Sequence, residues 1–579
     1  MRLITFILLL STFCFANAFY CPSFLRNQTT CSCDEYIDGA IVKCNGKEGP
    51  LIVEQLKNQS AQVRELWLEH AKIIQVGPNA FKPLKLKKLV LDNNPIQDID
   101  AHAFKGLEST LQDLSISMTK LHDIPTDAVA GLRALNVLNL KCNNIGNLTD
   151  VAFHNTPSLI EVNLACNQIC NIGAEVFKNV KNSLQNLVLD NNCFTKVPTD
   201  AINGMTNLIA LHMKYNKLKK LGSHQIINVK SLSMLTFTHN EIETIEPDFV
   251  IKAQNIRYIY LNENKIKHIV PGTFKQFNSS EVIDLSYNDL SDVTANMFSG
   301  LESLQHLNLE SNAIKEIAAG AFSTTPLLLL WLPNNCLTSV SPAMFQGTPF
   351  LKQISLSNNN IRIITPLSFA HLANLHTLDL SSNKISSIET GALTGTDFMT
   401  VRLQENPFVC TQDGFHVLNG QEAINLTSEA NVICQSDNIH DNTDQCPRRK
   451  ELPSPQPCCL RTIVKTTTMP QFTTTPEPET TSVAAASEIN AARERARKLN
   501  MERFWRLSHP PADIMRPNAD STVKLTAPSN SDVVEAEEKP RHRTQSYRSQ
   551  LLPYLRNNEK TKIPTVDFSE DEKTETIQA

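Results

Sequence analysis

The sequence lacks the features that most enzymes and nucleic-acid-binding proteins require. Only 18 of its 579 residues are glycines, and no glycine-rich loop that could hold a phosphate group occurs. There is no nucleophile elbow and no metal-ligand motif, and the 15 histidines are scattered along the chain. The net charge of −5 is too small to indicate a nucleic-acid partner. We therefore expect a protein that is not an enzyme and that needs neither a cofactor nor a metal ion.

Only one long apolar run is present, and it lies at the N-terminus. Arg2 precedes the apolar residues 3–13, and residues 16–18 read Ala-Asn-Ala, a small-x-small cleavage site. This run is shorter than the roughly 20 residues that a bilayer-spanning helix needs. We interpret residues 1–18 as a signal peptide. Because no second run of spanning length follows, we expect a secreted chain without a membrane anchor.

The remainder of the chain is dominated by a repeat of about 24 residues, LxxLxLxxNxL, which extends over residues 63–408. A clear copy is IRYIYLNENKI, from Ile256. Ala71 and Thr119 replace the asparagine in two degenerate copies, so we count about 15 repeats, spaced 23 to 25 residues apart. In the other repeats this position is Asn94, Asn143, Asn167, Asn192, Asn216, Asn240, Asn264, Asn288, Asn312, Asn335, Asn359, Asn383 and Asn406.

The repeat pattern predicts an α/β repeat solenoid rather than a set of amphipathic helices. The LxL core alternates with period 2, which indicates a short strand whose leucines face inward and are buried by neighbouring repeats. An asparagine offers donors and an acceptor to the backbone groups that the following turn leaves unpaired. A second apolar spine is expected from the phenylalanines that follow each asparagine by about ten residues: Phe81, Phe104, Phe153, Phe177, Phe274, Phe298, Phe322, Phe345 and Phe369.

The array resembles extracellular leucine-rich-repeat proteins of the 24-residue type over roughly residues 21–446. The resemblance implies a horseshoe fold with a parallel concave β-sheet, cysteine-stapled caps and a protein-binding role. We accordingly expect five parts in the chain. They are the signal peptide (1–18), an N-terminal cysteine cap (19–62), the repeats (63–408), a variant C-terminal cysteine cap (409–460) and a Thr/Pro-rich, disordered tail (461–579).

Four cysteines precede the first repeat: Cys21, Cys31, Cys33 and Cys44. In the family this spacing belongs to the N-terminal cap, whose cysteines pair as two disulfides. A zinc site is the alternative, and both the C-x-C spacing and the expected secretion favour disulfides over it.

The C-terminal cysteines depart from the family pattern. The family cap begins NPWxCxC, whereas this chain has Phe408 in place of tryptophan and lacks the second close cysteine. The cap cysteines are Cys410, Cys434 and Cys446, and their pairing is left open. The adjacent Cys458 and Cys459 cannot easily pair with each other. Since five cysteines lie in this region, either one of these two links two chains into a homo-oligomer, or the odd cysteine pairs with Cys336 or another array cysteine.

Four further cysteines lie in the array besides Cys336. Cys142 and Cys166 occupy the same position in consecutive repeats, where neighbouring strands bring their α-carbons within disulfide range but point their side chains the same way. Cys170, Cys193 and Cys336 are placed in turns. For these, pairing and burial as apolar thiols are both open.

Modification sites and a low-complexity tail complete the sequence. N-glycosylation sequons begin at Asn27, Asn58, Asn147, Asn278 and Asn425. Residues 465–482 form a Thr/Pro stretch that is expected to be extended and is a candidate for O-glycosylation. Residues 487–507 have a helix-forming, basic composition, which suits acidic glycans, a processing site or a merely solvated helix.

The strand positions that flank the inner leucines should point outward and offer a continuous surface to a ligand. In repeats 7–12 these positions are unusually aromatic for a chain with 8 tyrosines and 3 tryptophans. We predict a ligand surface on the concave face there, because such side chains are enriched among binding hot spots. Its residues are His212, Tyr215, Tyr258, Tyr260, Tyr287, His306 and Trp331. The alternative is that strands favour aromatic residues generally.

Several extracellular roles suit a chain with only repeats, caps and a tail. It resembles nematode secreted repeat-only proteins of the apical extracellular matrix, which implies matrix organisation and attachment of epithelium to it. Secreted immune-recognition repeat proteins and soluble ligands or co-receptors of cell-surface receptors are the alternatives. The immune type follows its double cysteine with a coiled coil, and no sustained heptads occur here. The expected partners are extracellular proteins or matrix components.

Overall fold

A computed structural model describes residues 20–407, except positions 27, 324, 390 and 396–398, together with residues 425–426 and 446–447. All of these belong to the first of the two units into which the chain divides, Met1–Pro476. The second unit, Glu477–Ala579, lies outside the described residues. The predicted signal peptide, the tail, Cys410, Cys434, Cys458 and Cys459 likewise fall outside them.

The N-terminal cap is a hairpin followed by a helix. Strand β1 (Cys31–Tyr36) pairs antiparallel with β2 (Gly39–Asn45), and β2 pairs in parallel with the first repeat strand, β3 (Val63–Glu69). Helix α1 (Gly49–Asn58) buries Ile52, Val53 and Leu56 in the hydrophobic core. The predicted cap disulfides are confirmed as Cys21–Cys33 and Cys31–Cys44. The cap thereby covers the leucine core that the first repeat would otherwise expose.

One short strand per repeat continues the parallel sheet, so strands β3 to β17 account for the fifteen predicted repeats. A last strand of two residues, β18, follows them in the same sheet. The strands after β3 are β4 (Lys88–Val90), β5 (Asp113–Ser115), β6 (Val137–Asn139), β7 (Glu161–Asn163), β8 (Asn186–Val188), β9 (Ala210–His212), β10 (Met234–Thr236), β11 (Tyr258–Tyr260), β12 (Val282–Asp284), β13 (His306–Asn308), β14 (Leu329–Trp331), β15 (Gln353–Ser355), β16 (Thr377–Asp379), β17 (Thr400–Arg402) and β18 (Asn425–Leu426).

The rest of each repeat is mostly turns with little regular structure. Two four-residue helices occur, α2 (Thr126–Val129) and α3 (Thr199–Ile202). Short 3-10 helices lie at Ser23–Leu25, Lys178–Val180 and Pro342–Phe345. Two-residue strands form five separate parallel pairs: Gln75–Val76 with Asp98–Ile99, Lys220–Leu221 with Thr244–Ile245, Ile226–Ile227 with Val250–Ile251, Asp292–Val293 with Glu316–Ile317, and Ser339–Val340 with Ile363–Ile364.

The core consists of the repeated leucines on one side and a phenylalanine spine on the other. Leu261, an inner leucine of repeat 9, is fully buried. All nine phenylalanines of the predicted spine are buried as well. Successive rings stack along the array, as Phe153 on Phe177 and Phe298 on Phe322, each pair with its ring centroids 5.8 Å apart. The spine is therefore confirmed as a second row of contacts between neighbouring repeats.

The repeated asparagines form the predicted hydrogen-bond ladder. Asn264 Nδ2 donates to the backbone oxygens of Phe237 (2.9 Å) and Leu261 (3.0 Å), and its Oδ1 accepts from the backbone nitrogen of Ile242 at 3.1 Å. Each asparagine thus bonds both its own turn and the preceding repeat. In the degenerate third repeat, the Thr119 hydroxyl donates to Asn143 Oδ1. These bonds satisfy backbone groups that the turn would otherwise bury unpaired.

A second requirement of this turn was not apparent from the sequence. In all fifteen repeats the residue before the asparagine position has a positive φ, between 52° and 61°. None of these fifteen residues is glycine, although the left-handed region is disfavoured for other residues. They are His70, Asn93, Met118, Cys142, Cys166, Asn191, Tyr215, His239, Glu263, Tyr287, Ser311, Asn334, Asn358, Ser382 and Glu405.

Four of the five array cysteines, whose state the sequence left open, are disulfide-bonded: Cys166, Cys170, Cys193 and Cys336. Cys170 pairs with Cys193 one repeat later. Cys336 pairs with Cys446. This is the alternative in which Cys336 pairs with one of the five C-terminal cysteines.

Candidate ligand-binding surface

The strands present a continuous surface, which we call the sheet face, made of the side chains that flank each inner leucine and point away from the core. Parallel register aligns equivalent residues of successive repeats in rows. One row contains apolar or weakly polar residues in five consecutive repeats: Met234, Tyr258, Val282, His306 and Leu329. The next row contains His212, Thr236, Tyr260, Asp284, Asn308 and Trp331.

The structure brings five of the seven predicted site residues together on these two rows. Tyr258 and Tyr260 lie on β11, and His212, His306 and Trp331 lie on β9, β13 and β14. The side chains of Tyr258 and Trp331 are half-buried. These five residues therefore share the two rows across repeats 7–12, but β10 and β12 between them carry none of the five.

The other two predicted residues occupy a different row. Tyr215 and Tyr287 are at the left-handed turn position that ends each strand. The Tyr215 ring lies against the His239 ring, with the centroids 4.5 Å apart. Tyr287 Oη donates to Glu310 Oε1 at 3.4 Å. These tyrosines therefore line one edge of the sheet face, and their orientation is set by turn geometry rather than by the strand.

Tyr260 differs from the expectation that the aromatic residues are exposed. Only 8% of it is accessible to solvent, yet it does not belong to the hydrophobic core. Its register neighbours on the sheet face are Thr236 and Asp284, whose side chains lie directly on either side of it. The neighbouring side chains of the same row, rather than the core, therefore shield Tyr260 from solvent. Only part of its surface is left for a ligand.

Three further residues complete the row: Met234 and Leu329 are half-buried, and Val282 is buried. The sequence prediction named only aromatic residues and histidines and so did not include them. Met234, Val282 and Leu329 each precede the central residue of their strand and are register neighbours of the predicted site residues. Their position in the repeat pattern, directly before the inner residue of each strand, would have been enough to identify them from the sequence. We define the aromatic strip as Met234, Tyr258, Tyr260, Val282, His306, Leu329 and Trp331.

Burial keeps the ionisable groups around this strip neutral. It lowers the pKa of His212 to about 4, with a smaller contribution from Lys214, and it also lowers the pKa of His306. Burial, then the nearby Glu310, raises the pKa of Tyr287 to about 12. Burial and then Asp284 raise the pKa of Tyr260. At neutral pH these histidines and tyrosines therefore present an uncharged surface.

Asp284 is the acidic residue beside the strip. Its carboxylate accepts hydrogen bonds from the backbone nitrogen and the hydroxyl of Ser286, at 2.9 and 2.7 Å. Burial raises the pKa of Asp284, and the Ser286 bonds oppose that shift. The Asp284 carboxylate is therefore held in place by Ser286, which directly follows the end of the same strand.

The remaining predicted sites fall on scattered surfaces. Asn58, Asn147 and Asn278 are exposed, as N-glycosylation requires, while Asn27 and the side chain of Asn425 lie outside the described residues. Within the described residues, no group of three or more His, Cys, Asp or Glu side chains is placed to hold a metal ion. The same part of the chain contains no helix of the length and apolarity needed to cross a membrane.

The fold, the asparagine ladder and the sheet face define a class of repeat scaffold. Residues 84–396, more than half of the chain, match the family model described as leucine rich repeat, in a continuous series of overlapping segments. The chain belongs to the leucine-rich repeat family.

Similar proteins share parts of the repeat array. Leucine-rich repeat-containing protein let-4 of Caenorhabditis elegans is 30% identical over 120 residues, which are 20% of this chain and 15% of that protein. Fibromodulin of Oryctolagus cuniculus is 30% identical over 160 residues, 28% of this chain and 89% of that sequence. Against the first two curated relatives, the chain covers less than half of their length, 15% of let-4 and 46% of leucine-rich repeat-containing protein 3 of Danio rerio.

Solved structures with the same architecture include a leucine-rich-repeat protein of Leptospira interrogans. It is 24% identical, with a TM-score of 0.48, and the match covers 61% of this chain and 86% of that chain. The leucine-rich repeat domain of APL1 is 20% identical, with a TM-score of 0.44 over 62% of this chain and 82% of that chain.

Proposed function

We propose that the chain is a secreted, non-catalytic scaffold of the extracellular matrix that binds a protein partner through the aromatic strip. The observation that carries the proposal is the strip itself, a contiguous and uncharged group of side chains on a mostly polar sheet face. Met234, Tyr258, His306, Leu329 and Trp331 keep part of their surface exposed, whereas Tyr260 and Val282 are buried. Extended apolar surface of this kind marks interaction sites on soluble proteins. The secretory route is supported by disulfides in the cap and in the array, since such bonds persist in oxidising compartments.

The sheet provides a rigid base for such a site. Each strip residue is fixed by parallel pairing to strands on both sides, and its neighbours in the row restrict its rotamers. A preformed surface loses little conformational entropy when a partner binds, so more of the contact energy appears as affinity. Tyr258 and Trp331, which are half-buried, offer rigid apolar area together with a polar group.

Localisation and binding together test this function. The tagged chain should be deposited in the matrix of an epithelial culture, and the purified chain should bind that matrix after the cells are removed. The double variant Tyr258→Ala/Trp331→Ala should weaken binding by about 2 kcal/mol or more, the cost typical of losing hot-spot side chains. Tyr260 is left intact because it is buried.

A matched control distinguishes loss of the binding site from a general loss of exposed apolar surface. Phe350 and Ile363 are 41% and 55% exposed and lie outside the main sheet. Phe350→Ala/Ile363→Ala should bind like the unaltered chain. If the chain stays in the circulating fluid or co-localises with a surface receptor instead, the matrix role is wrong and an immune or signalling role replaces it. Equal binding by both double variants would place the partner elsewhere on the molecule.

A further inference from the structure

A second, separate surface lies at the N-terminal end of the sheet face, where the cap meets the first repeat. A cleft of about 580 Å³ is lined there by polar side chains of β1, β2 and β3 and of the preceding loop. Its wall is Trp67, at the centre of β3 opposite Lys43 of β2. This cleft does not share residues with the aromatic strip.

Two lysines flank the Trp67 ring from the neighbouring strands. Lys43 Nζ is 5.6 Å and Lys88 Nζ is 5.1 Å from the ring centroid, both within the range of a cation–π contact. Neither lysine has a carboxylate within ion-pair distance among the described residues. Glu65 and Asp113 are the register neighbours of Lys88, and Glu69 lies two residues beyond Trp67. These three carboxylates lie near the two ammonium groups but leave both without a direct ion-pair partner in the described part of the chain.

The Trp67 indole offers one more unused group. Its Nε1 is shielded from water and has no hydrogen-bond acceptor within the described part of the chain. A buried donor without an acceptor is costly, so a ligand acceptor at this point would be favourable. Close to it, the cleft supplies the hydroxyls of Thr29 and Ser32, the Asn45 amide and the Glu69 carboxylate.

We propose that this cleft binds an acidic sugar residue of a glycan. An aromatic ring provides a flat apolar surface for the carbon–hydrogen face of a pyranose. Lys43 in the lining, Lys88 beside the Trp67 ring and the Trp67 Nε1 would supply donors for a sulfate or carboxylate group, whose hydrogen bonds to ammonium groups are charge-assisted. The hydroxyls of the sugar would find both donors and acceptors in Asn45 and Glu69. A neutral sugar would leave the two lysines without an ion-pair partner, so the acid is part of the recognition.

Calorimetric titration with defined saccharides tests the assignment on the full chain. The probes are a heparin-derived tetrasaccharide, which is sulfated and carboxylated, a hyaluronan-derived tetrasaccharide, which is carboxylated only, and neutral chitotetraose. We expect binding of at least one acidic probe, weakening as salt is raised because exposed charges are screened. Comparison of the two acidic probes identifies whether sulfate or carboxylate is the acid that binds.

Variants locate the site. Lys43→Ala/Lys88→Ala and, separately, Trp67→Leu should each raise the dissociation constant about tenfold, the size expected when a charge or aromatic contact is lost. Lys217→Ala/Lys219→Ala, two exposed lysines of repeat 7, is the matched control and should leave binding unchanged. Thermal unfolding of every variant is recorded, and the lysine pair alone decides the matter if Trp67→Leu does not fold. Absence of binding by both acidic probes, equal binding of chitotetraose, or an equal loss in the control would overturn the proposal.

Discussion

Cys336, in repeat 12, forms a disulfide with Cys446, which lies 110 residues further along the chain. The α-carbons of the two residues are 4.9 Å apart. Strands β15, β16 and β17 intervene between Cys336 and the end of the array. The bond therefore ties the segment that follows the last repeat back to a repeat three units earlier.

Removing this bond should destabilise the C-terminal repeats. In the chain-entropy description, a cross-link that closes a loop of about 110 residues contributes about 4 to 5 kcal/mol, and one that closes 23 residues about 3 kcal/mol. Cys336→Ser/Cys446→Ser should accordingly lower the unfolding midpoint in denaturant more than Cys170→Ser/Cys193→Ser does. Peptide mapping without reductant should recover the Cys336 and Cys446 peptides as one species. Recovery of Cys446 joined to Cys434 instead would contradict the pairing.

A charge at an inner leucine position should prevent folding. Leu261 is fully buried on β11's core side, so Leu261→Asp places a carboxylate among apolar side chains with no partner. The expected cost is several kcal/mol, which is large against the total stability of a folded domain. Secretion from animal cells should fall sharply. Asn262→Asp introduces the same charge one residue later on the half-buried sheet face and should be secreted normally; similar yields for both variants would refute the strand register.

The left-handed turn position should discriminate between glycine and β-branched residues. Asn93 has a φ of 60°, a conformation that glycine adopts freely and that valine strongly disfavours. Asn93→Gly should change the free energy of unfolding by less than about 1 kcal/mol, whereas Asn93→Val should lower it by about 1 to 2 kcal/mol. Chemical denaturation of the two variants measures the difference. Equal stability would mean that this turn does not require a positive φ.

His212 should make the repeat array less stable in mild acid. Its pKa is lowered by burial from the usual 6.5 to about 4, so the unfolded chain takes up a proton first as the pH falls. The stability associated with neutral His212 is complete above pH 6.5 and declines between 6.5 and 4, by about 2 kcal/mol at pH 5.

The His212→Gln variant tests this pH dependence. Its unfolding midpoint should fall less between pH 7 and pH 5 than that of the unaltered chain. His102→Gln, at an exposed histidine, is the control and should keep the full decline. Parallel declines in all three proteins would show that His212 titrates normally.

The repeat array could be predicted in detail because each determinant acts over a short distance in the sequence. The LxL motif places two inward side chains on one strand, and an asparagine three residues after the second leucine meets the turn of its own and the preceding repeat. Thr119 keeps only the link to the next repeat, since its hydroxyl donates to the side chain of Asn143. Strand count, core residues and phenylalanine spine all follow from this local pattern.

The site was less predictable because exposure depends on neighbouring repeats. Tyr258 and Tyr260 occupy equivalent outward positions of one strand, yet Tyr260 is buried between its register neighbours while Tyr258 keeps part of its surface. That Val282 lies next to Tyr258 in the row likewise becomes visible only when β12 is placed beside β11. Whether two outward side chains form one surface depends on which residues are neighbours in a row of the sheet face. Those neighbours lie about 24 residues apart in the sequence.

The sequence by itself determined the solenoid and the register of its strands, since these depend on residue types at fixed short spacings. Only the tertiary structure decided that Cys446 returns to Cys336, and that Trp67 stands between Lys43 and Lys88. Such contacts join residues from different repeats or from beyond the array. No periodic pattern specifies them, because they arise from the stacking that brings distant parts of the chain side by side.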